Sequence, residues 1–445
     1  MRTGKGGTYV RRRAGVVLFR TFQSLAVRNF RLFAAGQLMS VAGTWMMVVA
    51  QDWLVLSLTG DSATALGAVT ACQFAPLLLL TLYAGGLADR HDKRTLLTVA
   101  NLVSGALALL LALLVLSDGV RLWHVYLFAL GLGTVNAVEV PARMSFVSEL
   151  VGPDLLPNAS ALSAAYFNSA RVVGPALAGP LIGWCGTGPV MLLNAVSYLA
   201  TVAGLRLIRT ADLRRGGQRP RRAGVADGIR YMVARRDLLL PMLLVSVVGM
   251  LGFNFQLTLP LLAKTVFHAD AAAFGLLTTA LAAGSLAAAF ATTARRGRPP
   301  LALVIGSAAG FGALEALAGL APGYASAVVL LFCAGFGSVY FAQAANHHIQ
   351  LGTDPAYRGR VMALYTLVFQ GTTPVGALLV GALSQALGAR SGLVLGGAAC
   401  VVAAAAVLAV HLARRAPSRV EEEVPARSPA ALTSGEETPG GTAHS

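Results

Sequence analysis

Residues 64–94 read TALGAVTACQFAPLLLLTLYAGGLADRHDKR, an apolar run that ends in a dense cluster of charges. The run from 64 to 86 has the length of about 20 mostly apolar residues that a helix needs to cross a bilayer. The charged residues that follow it are costly in hydrocarbon and belong at a membrane surface. This stretch therefore predicts a membrane-spanning helix that ends at a charged loop.

The same pattern recurs along the whole chain. Apolar runs of spanning length alternate with short polar segments, and in hydrocarbon only helices satisfy the backbone polar groups of such runs. The sequence therefore predicts an all-α polytopic membrane protein of about twelve transmembrane helices. The predicted spans are 30–58, 64–86, 96–117, 121–141, 159–183, 187–208, 238–263, 273–294, 301–320, 324–348, 360–387 and 391–413.

Composition excludes the soluble classes. Apolar residues make up 56% of the chain and charged residues 12%, about half the soluble average of roughly 25%. A net charge of +16 would suit a nucleic-acid-binding protein, but the basic residues lie in short segments between apolar runs, so no nucleic acid partner is expected. The four cysteines form no CxxC pair or His/Cys cluster, so neither a metal site nor a cofactor is expected.

The distribution of basic residues predicts the orientation. They concentrate in the terminal segments, the central connection and alternate loops, whereas the opposite loops hold only Arg121, Lys264 and Arg390. Lys and Arg are enriched in cytoplasmic loops. We therefore expect a multi-pass protein of the plasma membrane (the inner membrane of a two-membrane cell) with both termini in the cytoplasm.

The chain divides into two halves and three polar segments. Residues 30–208 and 238–413 hold six predicted spans each, joined by a basic linker at 209–237. A basic arm at 1–29 is expected to rest on anionic lipids, and the tail at 414–445 has the composition of a disordered segment. Weak internal repeats, such as Gly-Pro in the fifth span and Thr-Pro in the eleventh, indicate pseudo-symmetric halves that rock about a central site.

The charged segment after the second span resembles a motif of the major facilitator superfamily. GGLADRHDKR at 85–94 is similar to that family's loop between helices two and three, except that Asp92 stands where the family has glycine. The resemblance implies a cytoplasmic latch in which the Asp89 carboxylate binds a helix N-terminus or a cation; a solvated charge run is the alternative. The residues of this gate motif and its expected partners are Gly85, Gly86, Asp89, Arg90, Lys93, Arg94, Arg143, Arg358 and Arg360.

The fifth span resembles the helix signature of the family's antiporters. FNSARVVGPALAG at 167–179 contains part of that signature, with Gly174, Pro175 and Gly179 allowing close helix packing. An ordinary small-residue packing face is the alternative. Further segments, among them DWLVL at 52–56 and YRGRVM at 357–362, resemble the drug:proton antiporters related to the enterobactin exporter and macrolide efflux proteins. This resemblance spans about residues 28 to 410 and implies export in exchange for protons.

Two charges lie inside predicted spans. Asp52 shares a helical face with Gln37 and Thr44 and is a candidate for proton coupling or substrate binding; a structural carboxylate is the alternative. Arg171 needs an anion, carbonyl groups or water near mid-membrane, so it either pairs with Asp52 or binds a polar group of the substrate. Glu315 lies in the ninth span, which is peripheral in this family, so we favour a structural role for it.

Other polar and aromatic residues are candidates for the lining of a central cavity. With the two charges, the set is Asp52, Arg171, Gln37, Trp45, Asn136, Asn168, Asn254, Gln256, Gln343 and Gln370. Catalytic motifs of hydrolases, metalloproteases and phosphate-binding enzymes are absent from the sequence, so an enzyme is not expected.

The sequence therefore favours a monomeric secondary transporter. It would export a small amphiphilic molecule (a drug, siderophore or secondary metabolite) by proton antiport with alternating access. An importer on the same fold and a non-transporting membrane sensor remain alternatives.

Overall fold

The computed structural model describes residues 22–214, 225–293, 295 and 297–413, without the side chains of 81–86, 88, 89, 225 and 226. Most of the predicted N-terminal arm, the middle of the linker and the whole predicted tail lie outside these residues. The described chain is helical, with short connections between long helices. We call the membrane face at which the first long helix begins the linker face and the opposite one the far face.

The N-terminal half contains six long helices, which alternate in direction. Helix ends are set locally: the Ser62 side chain, for example, accepts from the Ala65 N–H and caps the second helix. The bounds are α1 Arg28–Thr59, α2 Ala63–Arg90, α3 Lys93–Leu116, α4 Leu122–Val151, α5 Leu156–Cys185 and α6 Thr187–Leu207.

The C-terminal half repeats this plan with two interrupted spans. A short linker helix precedes it, and π-helical segments Val248–Gly252 and Leu262–Val266 interrupt and end the seventh span. The bounds are α7 Val225–Ala234 (the linker helix), α8 Arg236–Val247, α9 Phe255–Leu261, α10 Ala271–Thr293, α11 Leu301–Gly319, α12 Tyr324–Gly352, α13 Arg358–Gly371, α14 Thr373–Leu387 and α15 Arg390–Ala413.

Length and composition support the membrane assignment. Among the described residues, eleven helices or helix pairs are long and apolar enough to cross a membrane. The remaining long helix is α5, whose mean hydropathy is reduced by Asn168, Arg171 and several Pro and Gly residues. With α5 the described chain has the predicted twelve helical crossings. Large apolar side chains such as Leu110 and Val402, 59% and 67% exposed, face outward, as lipid contact requires.

The two halves pack by the same pattern. In the N-terminal half α2 packs on α4, and α3 packs on α4 and α6; in the C-terminal half α10 packs on α12, and α11 packs on α12 and α15. The largest contacts between the halves are also equivalent, since α5 packs on α10 and α2 packs on α14. These matching contacts agree with the predicted pseudo-symmetric halves.

Three local features differ from the sequence prediction. Helix α2 continues to Arg90, so only His91 and Asp92 separate it from α3, and the predicted charged loop is mostly helical. Part of the predicted polar linker forms α7. The seventh and eleventh spans are not continuous: non-helical residues follow Gly252, and Pro374, which has no N–H to donate, begins a new helix after Thr372.

Candidate functional site

A cavity of about 340 Å³ lies between the two halves. It takes residues from α1, α2 and α5 on one side and from the seventh span, α10, α12, α13 and α14 on the other. Six of the predicted cavity residues are brought together here: Trp45, Asp52, Arg171, Asn254, Gln256 and Gln370. The structure therefore joins residues far apart in sequence at one site between the halves.

Asp52 is buried in the wall of this cavity. Its side chain is 1% exposed, and neither carboxyl oxygen has a hydrogen-bond partner among the described residues. The Gln256 side chain lies beside it but donates at 3.4 Å to Gln73 Oε1. An ionised carboxylate in such surroundings costs several kcal/mol, so the arrangement suits the neutral, protonated form.

Arg171 does not form an ion pair with Asp52. Its guanidinium carbon lies 5.3 Å from the centroid of the Trp45 ring, a cation–π contact that is worth about 2 kcal/mol when desolvated. Trp45 precedes Asp52 by seven residues, a rise of about 10 Å along α1. The two charges therefore belong to different levels of the cavity in this conformation.

Four of the predicted cavity residues are not among its lining residues. Gln37 is buried, and Thr44, on the same predicted polar face, donates to Ser40 O and bonds the Tyr198 hydroxyl inside the N-terminal half. Asn168 donates back to Ala164 O. The other two, Asn136 and Gln343, are half-buried outside the lining. The polar stripe predicted along α1 therefore enters the cavity only at its far end.

The aromatic character of the cavity exceeds the sequence prediction. Phe74, Phe255, Phe274 and Phe369 line it together with Trp45 and Phe253. Phe253 and Asn254 have non-helical backbone angles between α8 and α9 and face the cavity at this break. Glycines at 249 and 252 were the available signal for such a break, since glycine weakens a helix interior.

The far end of the site is closed by contacts between the halves. Lys264 Nζ lies 2.7 Å from Asp61 Oδ1, and the Ala63 N–H donates to Gln385 Oε1 at 2.8 Å. Trp53 stacks on Phe274, with ring centroids 6.2 Å apart. These contacts join the two halves around the far side of the cavity.

Glycines let the backbones of the two halves approach each other at the same end. A methyl carbon built on Gly67 would lie 2.5 Å from Ala377 O, and one on Gly179 would lie 2.8 Å from Ala271 O. Gly174, the other glycine of the predicted antiporter-like motif, packs instead on α1 beside Trp45. The motif of α5 therefore contacts both its own half and the other half.

The predicted gate motif lies at the linker face. The side chains of Gly85, Gly86 and Asp89 are outside the described part, so the latch itself stays a prediction. Asp92, the departure from the family pattern, accepts from the Thr95 N–H at 2.9 Å and caps α3. Its carboxylate therefore replaces the family's glycine with a helix cap.

Three basic residues of the gate motif, Lys93, Arg94 and Arg143, have partners within their own half. Lys93 pairs with Glu149, Arg143 with Glu139 at 3.0 Å, and Arg94 donates to Leu205 O at 2.7 Å. The Nε atoms of Arg358 and Arg360 are buried, and neither has a hydrogen-bond partner among the described residues. The groups that could meet Asp89 from α13 are thus present and incompletely bonded.

A second charged cluster at this face belongs to the C-terminal half. Asp237 accepts from Arg235 at 2.9 Å and from Arg298 at 3.1 Å, and the Tyr231 hydroxyl donates to Asp354 at 2.8 Å. The hydrogen-bonded Asp237 carboxylate raises the pKa of the Arg235 guanidinium. This cluster fixes the linker helix α7 to the C-terminal half.

Sequence comparison finds relatives among transporters. The chain is 24% identical to the staphyloferrin A transporter of Staphylococcus aureus, over 80% of this chain and 90% of that protein. It is 28% identical to the multidrug efflux pump Tap of Mycobacterium tuberculosis, over 80% and 87%, and 22% identical to macrolide efflux protein A of Streptococcus pyogenes, over 83% and 92%.

Solved structures share the fold. A bacterial homologue of the human lysosomal transporter Spinster has a TM-score of 0.69 at 15% identity, over 87% of this chain and 97% of that one. The nucleoside transporter NupG has a TM-score of 0.67 at 12% identity, over 86% and 99%. The family model described as "Transmembrane secretion effector" matches residues 20–432. The chain therefore belongs to the transmembrane secretion effector family of major facilitator transporters.

Proposed function

We propose that this transporter exports a small amphiphilic molecule from the cytoplasm in exchange for protons. The observation that carries the proposal is Asp52, a buried carboxyl in the wall of the cavity between the halves that has no hydrogen-bond partner among the described residues. Such a group is neutral while it is enclosed and ionises when it meets water or a cation. A carboxyl that alternates between these surroundings can carry one proton per cycle.

The closed far end supports loading from the linker face. The positive-inside distribution predicts that this face is cytoplasmic, so the conformation described here would receive its cargo from the cytoplasm. The relatives named as efflux proteins agree with that direction. Opening of the far end would then expose Asp52 to the outside.

The lining of the cavity supports an amphiphilic cargo with a flat ring. Six aromatic side chains line it, while Arg171, Asn254 and Gln370 supply polar contacts. Arg171 has no carboxylate partner among the described residues, so it is available to an acidic or polar group of the cargo.

The remaining parts of the proposal concern the surroundings. We infer that the protein works as a monomer in the plasma membrane, because the cavity is complete within one chain. Both termini would lie in the cytoplasm, where the basic arm meets anionic lipid headgroups.

Transport into everted membrane vesicles tests the proposal. With a panel of amphiphilic fluorescent dyes and a macrolide, wild type should accumulate at least one compound, and a protonophore should abolish the accumulation without any need for sodium. Asp52→Asn should lose more than about 90% of this gradient-driven uptake, because the amide cannot exchange a proton.

The matched control is Asp118→Asn. Asp118 is exposed at the far face with φ +54°, a conformation that Asn tolerates, so this variant should transport as wild type does. Unchanged protonophore-sensitive uptake in Asp52→Asn would remove Asp52 from the mechanism. Uptake only in right-side-out vesicles would identify an importer instead.

A further inference from the structure

A second carboxyl group is buried in the C-terminal half, outside the lining of the cavity. Glu315 on α11 is 2% exposed, and its Oε2 atom has no hydrogen-bond partner among the described residues. Burying a carboxyl without a partner is costly, and an apolar side chain would fill the same volume at lower cost. The position therefore calls for a role that an apolar residue could not perform.

Glycines on two other elements make room for this carboxyl. A methyl carbon built on Gly252, at the end of the π-helical segment, would lie 3.2 Å from Glu315 Oε2. One built on Gly396 of α15 would lie 3.3 Å from Oε1. The carboxyl thus lies between α15 and the point at which the seventh span is interrupted.

Among the described residues, no cation forms an ion pair with the Glu315 carboxyl. The Cys400 thiol of α15 is the titratable group that faces Glu315, since its Sγ lies 2.8 Å from the same built carbon on Gly252. Arg390 lies one turn beyond, where it donates to Gly319 O and Ala321 O at 2.7 and 2.8 Å. The described groups that meet the carboxyl, Gly252, Gly396 and the Cys400 thiol, carry no positive charge, so these surroundings favour its protonated form.

The site is mechanically connected to the cavity. Phe253 follows Gly252 in the chain, has non-helical backbone angles and lines the cavity. Its ring contacts Phe311, one turn before Glu315, with centroids 5.3 Å apart, and Phe369 at the same distance. A shift of the carboxyl against Gly252 therefore moves a wall of the cavity.

We propose that Glu315 is a proton-binding site that controls the break in the seventh span. A proton from water binds the carboxylate and forms the carboxyl O–H when the span is interrupted at Gly252, as it is here. The proton returns to water when the seventh span moves against α11 and α15 and the carboxylate meets polar surroundings. This role goes beyond the cavity carboxyl Asp52 and holds whether or not protons drive export.

Infrared difference spectroscopy of the full-length protein in proteoliposomes tests the site. A pH increase should remove a protonated-carboxyl band that is present in wild type, Asp52→Asn and the exposed control Asp118→Asn. The band should be lost in Glu315→Gln. If Glu315→Gln keeps every protonated-carboxyl band of wild type, the proposal is wrong. It is also wrong if the pH-sensitive band is lost only in Asp52→Asn.

A second variant keeps the test decisive if Glu315→Gln does not fold. Cys400→Ser places a stronger hydrogen-bond donor beside the carboxyl, which favours its ionised form. The midpoint of the band should therefore move to lower pH in Cys400→Ser. An unchanged midpoint would contradict the assignment of the band to Glu315.

Hydrogen–deuterium exchange of residues 248–257 tests the control of the break. Wild type and Glu315→Gln are compared at the same pH, so that the intrinsic pH dependence of amide exchange is the same in both. Above the midpoint of the band, wild type should exchange this segment faster than Glu315→Gln, and below it the two should agree. Equal exchange on both sides of the midpoint would show that Glu315 does not control the seventh span.

Discussion

The two ends of the interface between the halves are built from different interactions. At the far face, polar contacts cross from one half to the other: Asp61 pairs with Lys264, and the Ala63 N–H donates to Gln385. At the linker face, the described ion pairs stay within one half, as Lys93–Glu149 and Arg298–Asp237 do. The described ion pair between the halves therefore lies at the far face in this conformation.

The packing follows the same division. Backbone approaches at Gly67 and Gly179 join the halves near the far face, where side chains other than glycine would collide with the opposite backbone. The charged clusters at the linker face instead join helices within one half. We therefore expect substitutions at the far face to change the conformational equilibrium and those at the linker face to change the stability of one half.

The largest effect is expected from Gly179→Leu. A side chain at Gly179 would meet Ala271 O at 2.8 Å and Ala272 Cα at 2.9 Å. Overpacking costs about 1–3 kcal/mol, which disfavours the far-closed conformation roughly 5- to 150-fold. Spin labels attached at Asp154→Cys and Ala356→Cys lie at the linker face, one on each half. In Gly179→Leu the distance between these two labels should shift to shorter values, because the far end opens as the linker face closes.

Gly183→Leu is the matched control for that substitution. It lies one turn further along α5, is exposed, and has no atom within 4 Å of a built methyl carbon. It should leave the label distances unchanged. An equal shift in both variants would mean that the close approach at Gly179 does not hold the halves together.

An intermediate effect is expected from the ion pair at the far face. Asp61→Asn keeps the left-handed backbone (φ +68°) that Asn tolerates, and Lys264→Gln removes the charge while leaving a polar side chain one bond shorter. Because both groups are partly exposed, a double-mutant cycle should give a coupling of about 0.2–1 kcal/mol in the label-distance equilibrium. Exchanging the two charges between positions 61 and 264 should restore most of this coupling energy. If the effects of the single substitutions simply add, the ion pair does not hold the far end closed.

The sequence predicted the fold because lipid imposes strong constraints. Apolar length and loop charge are visible residue by residue and predicted the helices and their orientation, whereas the family was inferred from the resemblance of motifs such as GGLADRHDKR at 85–94. The cavity was predicted only in part, because one helical face can turn toward the centre or toward its own half. Asp52 lines the cavity, whereas Thr44, on the same predicted face, bonds Tyr198.

The breaks in the helices were harder to predict. Gly252 and Thr372 interrupt spans whose hydropathy is continuous. Gly249, Gly252 and Pro374 weaken a helix at these points, but the packing of residues 248–252 against α11, α14 and α15 is visible only in the structure. The role of Asp92 was also hidden, since a departure from a motif does not indicate that the new side chain caps α3. Such features depend on tertiary contacts that no single segment contains.

The smallest effect on the conformational equilibrium is expected from Lys93→Gln at the linker face. Its Glu149 partner is in the same half, and the two side chains are 18% and 14% exposed. Loss of the pair should lower the free energy of unfolding by up to about 1 kcal/mol, measured by unfolding in detergent. The distances between the spin labels should stay as in wild type. Glu149→Gln should behave alike, and the double variant should be no less stable than either. A label shift as large as that of Asp61→Asn would mean that this pair acts between the halves, and the division between the two ends would then fail.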